Sequence, residues 1–116
     1  MPTIFKIVPT ALWREAERQG TFTGSEVDHK DGYIHFSTAE QAKETAAKHF
    51  AGQTDLLLVA VDGDRLGQAL KWEPSRGGAL FPHLYGPLAL TDVLSVEALP
   101  LGPTGDHEFP DFGSGL

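Results

Sequence analysis

Two spacings of apolar residues alternate along the chain, one of two residues and one of three to four, and each marks an element. Residues 3–8, Thr-Ile-Phe-Lys-Ile-Val, predict a strand buried on one face and partly on the other, and Pro9 ends it. Thr10 can cap a helix through Gln19, with Leu12, Trp13 and Ala16 on its apolar side, Arg14, Glu15, Glu17 and Arg18 in solvent, and Gly20 as the stop. Trp13 is expected to anchor the core. Residues 21–25 carry turn chemistry with room for a short strand. Asp31-Gly32 then turns the chain into a strand over residues 33–36, where Ile34 and Phe36 face the core and Tyr33, His35 and Ser37 share the other face.

Ser37 or Thr38 is placed to cap a second helix over residues 38–50, with Glu40 or Gln41 reaching back to the first-turn N–H groups. Its stripe of Ala39, Ala42, Ala46 and Phe50 allows close approach to a neighbour, while Glu40, Lys43, Glu44 and Lys48 are solvated. Residues 56–62, Leu-Leu-Leu-Val-Ala-Val-Asp, are apolar without alternation, the pattern of a strand buried on both faces, and predict the centre of a sheet. A turn at 62–64, a helical turn at 64–67 and a strand at 69–73 follow. Residues 74–78, Pro-Ser-Arg-Gly-Gly, form either a ligand-accepting mobile loop, in which Arg76 can grip a phosphate or carboxylate, or an ordinary hairpin connection. Residues 81–88 predict an edge or irregular strand, because of Pro82 and Pro87, with His83 and Tyr85 on one face. In the last strand, residues 93–99, Leu94, Val96 and Ala98 should face the core. The resulting class is α+β, a mostly antiparallel sheet with two main helices, in one domain over residues 1–100. A Gly/Pro-rich tail over 101–116 is expected to lie on the surface or stay partly disordered.

Composition narrows the function. A net charge of −7 disfavours sequence-independent binding to nucleic acid or anionic membranes, which draws on Lys and Arg. The absence of cysteine removes disulfides, thiolate nucleophiles and zinc–thiolate sites. No apolar run reaches membrane-spanning length, and the N-terminus lacks a secretion pattern, so a cytoplasmic protein is expected.

Candidate chemistry gathers on two rows. Tyr33, His35 and Ser37 can hydrogen-bond and stack together, and His83 with Tyr85 forms a similar row. His49 and His107 are expected to be ordinary surface residues. A cleft beside His35 and Ser37, next to a helix N-terminus, would suit an anionic or sugar-rich ligand. A metal held by His29, Asp31 and His35 is a weaker reading, since no two histidines fall one helical turn apart and thiols are lacking. Phosphate-loop, dinucleotide-fold and serine-hydrolase motifs are absent. Glu73 and Glu97 are glycosidase acids by residue type alone.

Four blocks carry a resemblance: residues 31–38 (Asp-Gly-Tyr-Ile-His-Phe-Ser-Thr), 50–56 (Phe-Ala-Gly-Gln-Thr-Asp-Leu), 70–73 (Leu-Lys-Trp-Glu) and 81–88 (Phe-Pro-His-Leu-Tyr-Gly-Pro-Leu). Together they resemble the domain-of-unknown-function family 952 over about residues 3–99. The resemblance implies a fold related to the ADP-ribosyltransferases, a split sheet that grips NAD in a cleft between its halves, with a nucleotide as partner. It implies that His35 holds the ribose and amide of NAD with Ser37 beside it, and that Tyr85 or Tyr33 stacks on nicotinamide. It aligns His83 with a second histidine of the branch containing the RNA 2′-phosphotransferases. Transferases of the wider group also place a glutamate on a late strand to steady the oxocarbenium-like centre. Glu73 and Glu97 are the acidic residues in late strands here, and no motif selects between them. Catalysis by His35, Ser37, His83 and Glu73, with Tyr33, Arg76 and Tyr85 holding cofactor, is therefore the expectation, and non-catalytic nucleotide binding or a ligand-free interaction domain are its alternatives.

Overall fold

The computed structural model describes residues 3–110, apart from the side chain of Arg76, so the last part of the tail, 111–116, lies outside the described residues. The fold is α+β, and its named strand pairings are all antiparallel. Strand β1 (Thr3–Pro9), β4 (Leu56–Asp62) and β8 (Val93–Ala98) form one three-stranded sheet in the order β1-β4-β8. A second, in the order β3-β6-β5, combines β3 (Ile34–His35), β6 (Leu80–Leu84) and β5 (Leu70–Pro74), while β2 (Thr21–Phe22) pairs with β7 (Leu88–Ala89). The two larger sheets meet where Ser37 and Phe5 exchange backbone hydrogen bonds of 2.7 and 2.8 Å. Chain that has just paired with β6 thus passes directly to β1, and the sheet is split at that point.

β4 is the central strand that its unbroken apolar run predicts. Leu57, Val59 and Val61 enter one core with Ile4, Val8, Trp13 and Phe22, and Leu56, Leu58 and Ala60 enter the other with Phe5, Ile7, Ala42 and Ala46. Helix α1 (Thr10–Gln19) covers the first core and α3 (Ala39–His49) the second. Trp13 is the expected anchor, tilted against Phe22 at 5.5 Å, although its Nε1 meets no hydrogen-bond partner among the described residues. Gly20 ends α1 with a φ of 82°, a left-handed conformation that glycine adopts freely. Thr38, rather than Ser37, caps α3, and Gln41 rather than Glu40 closes its capping box.

Several expectations are corrected. Thr10 is the first residue of α1, not its cap; its hydroxyl donates to the Asp55 carbonyl at 2.9 Å. Glu26–Asp31 forms a short helix, α2, in a stretch to which the sequence pattern assigned no helix, held by a capping box between Ser25 and Asp28 and ended by Gly32 at φ 89°. β6 is central, not an edge, despite Pro82. The donor that proline lacks falls opposite Phe36, whose own N–H reaches the Pro82 carbonyl at 3.0 Å before the chain leaves β6 for β1. Where β8 pairs with β4 the register slips at Ala60 and Val61 of β4, so that Val61 pairs with Val93 and Leu94 of β8 bulges out to 56 % exposure. Val93 and Val96 consequently pack on the core, and of the three residues expected there only Val96 does. Residues 74–79, by contrast, make the hairpin connection that was one of the two readings, with hydrogen bonds from the Ser75 N–H to Ala79 and from the Gly78 N–H to Ser75. The described part of the tail turns back through a Leu101–His107 bridge and lays Phe109 on the second core. Among the described residues no helix is long and apolar enough to cross a membrane.

Candidate functional site

The sheet β3-β6-β5 sets His35 opposite His83, and His83 opposite Lys71. Directly paired residues in an antiparallel ladder project to one face, as do residues two positions along each strand. Hence Tyr33, Tyr85 and Glu73 join the two histidines. The rings pack closely: Tyr33 stacks on His83 at 4.1 Å, lies 4.6 Å from His35 and 5.2 Å from Tyr85, and His35 meets His83 edge-on at 5.5 Å. His83 is buried beneath Tyr33, whereas Tyr85 is exposed.

Glu73 joins this group through one oxygen. Its Oε1 lies 2.8 Å from His83 Nδ1 and accepts the Tyr85 hydroxyl at 2.8 Å. The bond with His83, seconded by that from Tyr85, holds the Glu73 carboxyl below the usual range. The same contact with Glu73 pushes the Tyr85 phenol up, and burial, with the charges of Asp31 and Glu73, does so for Tyr33. Glu97, the other late-strand acid, lies exposed on β8.

His35 rests on two further acids. Its Nδ1 is 2.6 Å from Asp28 Oδ1 and its Nε2 is 2.9 Å from Asp31 Oδ2. Asp28 also accepts the backbone N–H groups of His35 at 3.1 Å and Ser25 at 2.8 Å, and pairs with Lys6 at 3.1 Å. Lys6 in turn donates to the His35 carbonyl at 3.0 Å. Burial alone would raise the Asp28 carboxyl, but the bond from His35, the Lys6 charge and the two backbone donors outweigh it and hold the group well below the ordinary carboxylate range. Burial pulls the Lys6 ammonium down, against the opposing charge and bond of Asp28.

Lys6 and Asp28 escape sequence reasoning. The signals were present: a lone charge inside an apolar strand, and the Ser25-x-x-Asp28 spacing of a capping box.

Of the expected site residues, the fold brings together Tyr33, His35, Glu73, His83 and Tyr85. Ser37 departs from that row: paired with Phe5, it buries its hydroxyl 3.1 Å from that of Thr45 on α3. The backbone of Arg76 lies in the turn after β5, and its side chain is outside the described residues. His29 contacts the Thr23 carbonyl at 3.0 Å through Nε2, and among the described residues no three His, Cys, Asp or Glu side chains are arranged to hold a metal. His49 is exposed, and His107 ties the tail to the Gln53 carbonyl at 2.9 Å.

A hollow of about 290 Å³ adjoins the ring cluster, with Tyr33, Asp28 and His29 on its wall, Ile34 and Leu84 lining it, and Gly32 and Gly86 at its side. Sites for small molecules run from about 300 to 1,000 Å³. This one lies at the bottom of that range, and of the ring cluster Tyr33 alone is among its lining residues. Phenol faces can stack on a planar ring, and carboxylates and imidazoles can bind hydroxyls and amides.

A family described as "Protein of unknown function (DUF952)" matches residues 7–96. The chain is also similar to protein CC0527 from Caulobacter crescentus, whose X-ray structure is 52 % identical, with 91 % of this chain and 93 % of that one covered and a TM-score of 0.88. The solution NMR structure of CC0527 gives 53 % identity, 91 % coverage of each chain and a TM-score of 0.83. No curated protein matches.

Proposed function

Since the chain belongs to the DUF952 family of proteins of unknown function, we propose its function from the site itself: the ring cluster binds NAD or ADP-ribose by one nucleoside end, in an ADP-ribosyltransferase-like manner. Tyr85 and Tyr33 stack on the planar ring, His35 binds a ribose hydroxyl or the carboxamide, and Glu73 steadies positive charge at the ribose carbon as nicotinamide leaves. The ribose–nitrogen bond breaks, its electron pair leaves with nicotinamide, and an acceptor oxygen bonds to the ribose carbon and gives up its proton. The position of Glu73 supports this reading most. Sequence spacing selects no glutamate, yet Glu73, paired with Phe81 on β5, reaches the cluster with its carboxylate bonded to His83 and Tyr85. The adjoining hollow, which shares Tyr33 with the cluster, is too small for a whole dinucleotide, so the pyrophosphate and the other nucleoside lie outside.

Calorimetric titration with NAD and with ADP-ribose tests binding, and chromatography of released nicotinamide tests cleavage. Saturable heat from the native protein, lost in His35→Ala, is expected, together with nicotinamide release that Glu73→Gln abolishes. Binding without release would make the protein a nucleotide-binding module. Absence of heat with both ligands would remove the nucleotide from the account.

A further inference from the structure

Lys6 stands on β1 between Ile4 and Val8, both core residues, and is itself only 8 % exposed. A buried ammonium costs more in lost hydration than a well-packed apolar side chain of similar volume, so an ion pair here is weak support for the fold. Its partners point elsewhere. Lys6 holds the His35 carbonyl and Asp28; Asp28 holds the His35 N–H and the ring nitrogen Nδ1. The residue is thereby gripped at both backbone groups and at one end of its ring.

The far end of the ring meets a different neighbour. Asp31 is exposed, four residues away, and contacts Nε2 at 2.9 Å. Both ring nitrogens thus face carboxylate oxygens, and carboxylates only accept, so full pairing requires a proton on each nitrogen. A ring in that state has no lone pair to offer.

We propose that Lys6 and Asp28 form a buried brace that fixes His35 as a donor from both ring nitrogens, and that a ligand oxygen takes the outward Nε2–H now shared with Asp31. His35 is then a hydrogen-bond donor to a carbonyl or hydroxyl oxygen rather than a general base, and Lys6 is a positioning residue that touches no ligand. The identity of the ligand rests on the nucleotide reading above; the state of His35 does not.

Long-range proton–nitrogen NMR of the imidazoles reads that state directly at pH 7. The native protein is expected to show protons on both nitrogens of His35, with a slowly exchanging Nδ1–H. Lys6→Met should broaden that signal or shift the ring toward a single-proton tautomer, and Lys6→Arg should restore it. In NAD titration, Lys6→Met should weaken binding about tenfold or more, the scale of one hydrogen bond from a charged donor, while Asp31→Asn should not weaken it. A lone-pair nitrogen signal from Nε2 in the native protein overturns the proposal whatever the variants do, as does native NAD affinity in a folded Lys6→Met. A doubly protonated His35 in protein that binds no nucleotide would retain the brace and reject the nucleotide.

Discussion

Replacing Asp28 by alanine strands Lys6. The two side chains are 1 % and 9 % exposed and 3.1 Å apart, so the orphaned ammonium would have little water to turn to. Breaking a buried pair on one side costs about 3–5 kcal/mol, and the lost capping bond to Ser25 adds a contribution of about 1 kcal/mol. Against a domain stability of about 5–15 kcal/mol, that is a large fraction. At about 4 °C per kcal/mol for a chain of this size, the ion-pair part alone lowers Tm by about 12–20 °C. Urea denaturation followed by the fluorescence of buried Trp13 measures it, with circular dichroism to check that the native state forms. Lys6→Met combined with Asp28→Ala removes the stranded charge and should recover the part of the loss due to it, leaving the capping deficit and the lost bonds to His35. The reasoning is refuted if Asp28→Ala costs less than about 1 kcal/mol, the scale of an exposed pair, or if the double variant is as unstable as the single.

Asp28 also predicts the acid limb of stability. Its folded-state pKa lies below the unfolded value of about 4, so its contribution is fully present above that value and is lost as pH falls through the folded one. Stability measured from pH 6 downward should fall more steeply in the native protein than in Asp28→Asn, and equal slopes would exclude Asp28 as the source. Core burial gives a separate contrast: Leu58→Ala, on the central strand, should cost about 2–5 kcal/mol, whereas Leu94→Ala at the bulge should stay within about 0.5 kcal/mol. Comparable losses at the two positions would contradict the register of β8.

Much of the frame was legible because its signals are local. The apolar run of β4, the alanine stripe and capping box of α3, and Pro9 and Gly20 around α1 each follow from neighbouring residues. What escaped depends on contacts between distant segments. Helix α2 has no apolar stripe to announce it; Val27 is exposed, and the helix is held by Ser25, Asp28 and Gly32. The β8 bulge depends on how Val61 meets Val93, and the central place of β6 on where β3 ends. At the site, period-two spacing foretold the faces of Tyr33 and His35 and of His83 and Tyr85, but the same rule misplaced Ser37, because the chain changes partner from β6 to β1 just before it. Glu73 was a candidate without a location, and pairing of β5 with β6 provided one. Lys6 lay hidden because a charge within an apolar strand finds its partner 22 residues away.

The ring cluster is the proposed point of entry for a nucleotide. Amide and side-chain NMR shifts recorded during NAD addition test this residue by residue. Saturable changes centred on Tyr33, His35, Glu73, His83 and Tyr85, absent in His35→Ala, are the predicted result. Changes concentrated instead at a second hollow, around Ala46, His107 and Phe109, or no changes at all, would contradict it.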